Sequence, residues 1–304
     1  MSELVSLVMP AWNVRPAWLR EAVESALAQR GCEVEVILVD DGSDTSVAEA
    51  LGGLEDTRLQ LVRVEHGGTS RALSAGVAAS SGTWLRFVGA DDVLPPDSTA
   101  HLLELAAGAD VIAYGATELC DEFLVPRATL DCRLTGDVVR DCLLNRFEVT
   151  VPALLFPRSV VDRVGAWDPE IVVCQDWDYV LRALEYAPVR GDTRPVYRYR
   201  QHTSSASAGL AGSDRSRRLS EQGMHLVVMR YFERHPEQAG TELESRAVAQ
   251  VELIIARSHR EEYLAHLGRA RRGDAGGVLR ELAVFARLVV ARAAVGLRGR
   301  GSAA

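Results

Sequence analysis

The sequence predicts an α/β protein: a Rossmann-like, doubly wound mixed sheet followed by a helical C-terminal extension. Three observations carry this expectation. Short, near-continuous apolar runs at 4–9, 34–39 and 84–88 have the character of strands covered on both faces. Stretches of helical periodicity separate them, giving four βα units in the first ~90 residues. Two of the runs stop abruptly at paired carboxylates, Asp40-Asp41 and Asp91-Asp92, and ligands of open α/β sheets bind at that edge.

The elements follow in order. Leu4 to Met9 is closed by Pro10, and Pro16 to Gln29 then sets Leu19, Val23, Ala26 and Leu27 on one helical face. The strand at 34–39 leads to a helix near 45–53, a strand at 59–64, a helix at 69–80 and the strand at 84–88. Before the helix at 69, His66-Gly67-Gly68-Thr69-Ser70-Arg71 forms a Gly-rich turn with free N–H groups and an arginine suited to phosphate. Neither Gly-x-Gly-x-x-Gly nor a Gly-Lys-Ser/Thr loop is present, which disfavours a dinucleotide or P-loop site. Past residue 108 the pattern becomes mixed: a strand at 110–114, an irregular stretch of polar residues and short strands to about 134, a helix near 136–146, a strand at 151–156 and a short helix at 159–164. A helix from Cys174 begins with Asp176 at its amino end, where free N–H groups favour an ionised carboxylate. The alternating stretch Arg194 to Arg200 is a strand that delivers His202 to a Ser-rich loop.

Composition bounds the function. All 34 basic residues are arginine, and a net charge of −8 argues against general nucleic-acid binding. The charge is uneven: residues 1–212 hold 18 Arg against 31 acids, a balance of −13, and residues 213–304 hold 16 against 11, a balance of +5. Five cysteines with no Cys-x-x-Cys pair fit reduced, mostly buried thiols in a cytoplasmic protein. The amino-terminal apolar run lacks a basic leader and is expected to be a strand, and no run reaches the ~18–20 residues that span a bilayer. Asp91 and Asp92, as hard oxygen ligands, suit Mg2+ or Mn2+ shared with substrate phosphates; a turn or helix cap explains them equally well in isolation.

Six stretches in register resemble the inverting family 2 glycosyltransferases of GT-A fold. They are Val-Met-Pro-Ala-Trp-Asn at 8–13, Ile-Leu-Val-Asp-Asp-Gly-Ser at 37–43, Ser-Arg-Ala-Leu-Ser-Ala-Gly at 70–76, Gly-Ala-Asp-Asp at 89–92, Gln-Asp-Trp-Asp at 175–178 and Tyr-Arg-Gln-His at 199–202. The resemblance covers roughly 3–207. It implies a catalytic domain over 1–212 and leaves a helical region over 213–304. It implies that Pro10, Ala11 and Asn13 line the base and ribose pocket, that Asp41 accepts a hydrogen bond from the base, and that Arg71 lies near the diphosphate. Asp91 would sit near the ribose, Asp92 would be the principal ligand of a divalent metal with His202 completing its shell, and Asp176 would be the catalytic base. Three positions depart from the family pattern: Gly89 stands for the first metal-motif aspartate, Ser74 for an asparagine, and Gln175 for the glutamate before the base, which removes a like charge beside Asp176.

The resemblance implies a nucleotide-diphosphate sugar donor, with UDP-sugars the first to consider, and a glycan or lipid-linked acceptor in cell-surface polysaccharide synthesis. A sugar-phosphate nucleotidyltransferase and a non-catalytic nucleotide-sugar-binding or scaffold protein are the alternatives. Residues 214–298 are expected to be helical, and a last, basic amphipathic helix near 275–298 suits an anionic membrane surface, a second subunit or the catalytic domain equally.

Overall fold

The computed structural model describes residues 3–202 and 214–255. The chain divides into two compact units, Met1–Ala247 and Val248–Ala304. In the first, strands β1 (Leu4–Ala11), β2 (Glu33–Asp41), β3 (Leu59–Val64) and β4 (Trp84–Phe87) pair in parallel in the order β3-β2-β1-β4. Helices α1 (Pro16–Leu27), α2 (Val47–Ala50) and α3 (Thr69–Ala79) supply the crossovers. The sheet continues with β7 (Leu154–Pro157), antiparallel to β4, and β5 (Ile112–Cys120), antiparallel to β7. Along β5 lie β6 (Pro126–Leu130), antiparallel, and β8 (Val189–Arg200), parallel. This is the expected doubly wound mixed sheet.

Apolar burial explains the first half directly. Val5, Leu7, Val36, Ile37, Leu38 and Val39 are fully buried, because β1 and β2 are covered on both faces. Helix α1 sends Leu19, Ala22, Val23 and Ala26 into the same core. Close approach of α3 to the sheet requires Gly76, where a Cβ would lie 2.4 Å from a Val8 methyl.

The second half differs in extent from expectation. β5 runs to Cys120, past the predicted end at 114, and pairs with β6, a short strand in the stretch where short strands are expected. β8 begins five residues before Arg194, since Gly191 lies under the Tyr114 ring and Pro195 falls at a register shift; both obscure the alternation. Helix α5 (Val139–Leu143) is shorter than predicted. Helices α4 (Ser98–Ala106), α6 (Arg158–Val164) and α7 (Gln175–Leu184) complete the layers, and α8 (Asp214–Arg234) packs on α7. Residues 242–255 are helical. The expected basic helix at 275–298 lies outside the described residues, and no described helix is long and apolar enough to cross a membrane.

One residue of the apolar run 84–88 is a fully buried arginine. Arg86 donates to Pro152 O, Ser98 Oγ, Thr99 Oγ1 and Val196 O, and thereby ties β4 to α4, to β8 and to the segment that walls the cavity described next. Burial pushes its guanidinium down to about 9.

Candidate active site

The carboxyl ends of β1 and β4 open into a cavity of about 650 Å³, whose lining includes Pro10, Asn13, Asp91, Asp92, Asp176 and His202. These residues come from distant parts of the sequence, and the fold assembles them through the end of β8. Val93 pairs with Arg198 in an isolated bridge, so the turn after β4 is clamped to that strand.

Asp92 is 5% exposed and both its oxygens are engaged. Oδ1 accepts from the Arg200 N–H at 2.6 Å, and Oδ2 accepts from the Tyr197 hydroxyl, which itself accepts from Gly89 N–H at 3.0 Å. Burial, then the charge of neighbouring Asp91, pushes its carboxyl up to about 7 against these two donors. The expectation that Asp92 is the principal metal ligand therefore meets a physical obstacle: each of its oxygens already accepts from a protein donor. Gly89 is equally constrained. A Cβ there would stand 2.4 Å from Asp92 Oδ2 and 2.9 Å from the Tyr197 hydroxyl, so an aspartate at this position, as in the family pattern, would require those side chains to shift.

Asp91 presents the outward carboxylate. Its Oδ2 lies 3.0 Å from His202 Nε2, and His202 packs against Trp18 at 4.3 Å between ring centres. Arg200 fixes the backbone of this pair by donating to Asp91 O at 2.7 Å and Glu122 O at 2.6 Å while pairing with Glu21. Among the described residues no three His, Cys, Asp or Glu side chains converge as a complete metal shell. One carboxylate and one imidazole at contact distance suit a divalent cation whose remaining ligands are phosphate and water oxygens.

Asp176 stands in the first turn of α7, with Trp177 N–H on its Oδ1 at 2.8 Å. It opens into the cavity as an exposed side chain, and desolvation at the cavity wall raises its carboxyl above the usual range. Desolvation thus outweighs the missing charge at Gln175. The other candidate on this helix, Asp178, is buried and paired with Arg182 at 2.8 Å, away from the cavity. Ser74 accepts from Trp167 N–H at 3.1 Å and donates to Ser70 O, holding the loop before α7 against α3.

Three expected residues are not on the cavity wall. Ala11 is buried in β1; Asp41 is buried and accepts from Gly67 N–H at 2.9 Å and Gly68 N–H at 3.0 Å; Arg71 is exposed on α3, with its Cδ against Gly67. Asn13, at φ 50°, exchanges hydrogen bonds with Asp44, joining the loops after β1 and β2. Sequence reasoning missed Arg15, Trp18 and Tyr197. The i, i+3 spacing of Arg15 and Trp18 at a helix start was an available signal; nothing local marked Tyr197.

A Rossmann-like mixed sheet whose strand ends gather carboxylates and a histidine defines the GT-A class of transferase folds. Residues 6–135 match the sequence model of Glycosyl transferase family 2. A glycosyltransferase of Rickettsia felis is 27% identical over 68% of this chain and 36% of its own length, and the succinoglycan biosynthesis protein ExoO of Rhizobium meliloti is 36% identical over 35% of this chain and 31% of its own. The chain spans about a third of the length of the first curated relatives it matches. Among solved structures, Staphylococcus aureus TarS 1-349 with UDP-GlcNAc superposes with a TM-score of 0.59 at 14% identity, covering 84% of this chain and 72% of TarS 1-349. The Pyrobaculum calidifontis mannosyltransferase PcManGT with GDP-Man and Mn2+ gives 0.57 at 17%, covering 95% and 81%. The match to glycosyltransferase family 2 covers residues 6–135, and the chain has the GT-A fold of these solved structures.

Proposed function

We propose that the domain transfers a sugar from a nucleotide-diphosphate donor to an acceptor hydroxyl with inversion at the anomeric carbon. The observation that carries this reading is a single cavity holding Asp176 on one element and the Asp91–His202 pair on others. Pro10, Trp12 and Asn13 form its base-proximal wall, and Asp176 takes the proton of the acceptor hydroxyl as that oxygen attacks from the face opposite the leaving group. A carboxyl raised above the usual range is the stronger base toward the acceptor's proton. Asp91 and His202 would hold a divalent cation, which when bound offsets charge on the departing diphosphate. Asp92 is then the anchor that aims Asp91, through Tyr197 and Arg200.

The names of the relatives support a role in polysaccharide synthesis, and the complexes of TarS and PcManGT support UDP- and GDP-sugars as the donors to test first. A glycan or lipid-linked acceptor, cytoplasmic placement and contact with a membrane face are part of the same proposal. Gly89 and Gln175 favour a second, non-catalytic reading, in which the site binds a nucleotide sugar without transfer. A thermal-shift screen of UDP, GDP and their sugars, with and without Mn2+, tests the donor site. Binding at about 100 times the dissociation constant adds about 2.7 kcal/mol of stability. The expected result is a Mn2+-dependent shift with one nucleotide that is lost in Asp91→Ala and His202→Ala; no shift with any nucleotide in folded protein contradicts the reading.

A further inference from the structure

A diphosphate is strongly anionic, yet Asp91, Asp92 and Asp176 all border the cavity. Something cationic must offset them, and the described arginines differ sharply in their freedom to do so. Arg200 is 3% exposed and its guanidinium is committed to Asp91 O, Glu122 O and Glu21. Arg86 is fully buried among neutral acceptors. Arg71 does not reach the wall.

Arg15 is the only arginine among the described residues that line the cavity. It is exposed, stands at the N-cap of α1, and pairs with no carboxylate among the described residues. Its guanidinium lies over the face of Trp18, 4.2 Å from the ring centre. The same indole packs against His202, whose Nε2 meets Asp91. Trp18 therefore places a free guanidinium next to the proposed cation ligands, and the stacked plane pre-organises its donor fork at small entropic cost. The amino end of α1, whose first turn has no acidic residue, adds positive potential on the same side.

We infer that Arg15, held on Trp18, is the cation that binds the diphosphate of the donor and of the departing nucleoside diphosphate. The inference rests on the donor-site reading and assigns a contact that the sequence pattern had placed on Arg71. Its logic is bidentate: two N–H groups of one guanidinium meet two phosphate oxygens, which an ammonium cannot match.

The test is isothermal titration of uridine, UDP, guanosine and GDP, each with Mn2+, into wild type, Arg15→Ala, Arg15→Lys and Arg71→Ala. Arg15 is exposed, so its variants are expected to melt like wild type, which a thermal scan verifies. The expected result is that Arg15→Ala weakens the nucleoside diphosphate at least tenfold and leaves the nucleoside unchanged, with Arg15→Lys recovering only part of the loss. Equal diphosphate affinity in wild type and Arg15→Ala, or a loss that falls on Arg71→Ala instead, overturns the assignment while the donor site stands. Nucleoside and diphosphate binding equally to wild type also overturns it. If no ligand binds wild type, the donor-site reading itself fails and this inference with it.

Discussion

At the scale of single residues, the site turns on two adjacent aspartates with opposite surroundings. Asp91 faces the cavity beside His202; Asp92 faces inward onto Tyr197 and the Arg200 N–H. With its carboxyl pushed up to about 7 from an ordinary 3.8, Asp92 binds a proton in the folded state over a pH range where the unfolded chain has lost it. Its contribution is thus fully present below about pH 4 and is lost as pH rises through about 7. In metal-free protein, urea melts from pH 4 to 8 should show wild type losing stability relative to Asp92→Asn across that window; parallel curves contradict this. The two roles were not separable from sequence, because Asp91-Asp92 reads the same whichever carboxylate points outward. Tyr197, which decides the matter, lies 105 residues from Asp92. Asp176 and His202 were legible because their motifs are local: a carboxylate at a helix start and a histidine just past a strand.

At the scale of elements, the βα alternation of the first half was readable because each strand there is covered on both faces and each helix has one apolar stripe. Strands β5, β6 and β8 were less so. β6 is exposed along its whole length, and β8 contains a glycine and a proline that long-range contacts, not local propensity, hold in the sheet. Arg86 was read as part of an apolar run, since nothing in five residues tells that four distant acceptors will satisfy it. Helix α8 bears on the site through a close contact. A Cβ on Gly223 would lie 2.1 Å from Val173 O, in the loop that leads to Cys174, which is left-handed at φ 69°, and so to Asp176. Arg230 holds the other side of that loop through Glu170 and, at 3.9 Å, Asp168. Gly223→Ala should destabilise by roughly 1–3 kcal/mol through overpacking. Hydrogen exchange should speed up in 167–176 and not in β1 and β2; uniform exchange would mean that α8 does not brace Asp176.

At the scale of the molecule, the sheet gathers what the sequence scatters. Parallel β1 and β4 end at the same edge, so the loops after them meet, and β8 returns along β5 to bring Tyr197, Arg200 and His202 under that edge. The GT-A fold and the family resemblance were legible from six short motifs, because their order and spacing match a fold whose strand ends must carry them. The identity of the proposed donor was not, since Thr150, Val151 and Pro152, outside those motifs, also line the cavity. The claim that joins these levels is that Asp176 is the base of a transfer whose leaving group is held across the same cavity. It is tested most directly by turnover against pH, read as nucleoside diphosphate released from the donor that the binding screen identifies, for wild type and Asp176→Asn. The account predicts an acid limb above the range of an ordinary carboxylate in wild type, and a loss of about two to four decades in Asp176→Asn with donor affinity kept. Undiminished turnover in Asp176→Asn with the same pH profile would contradict it.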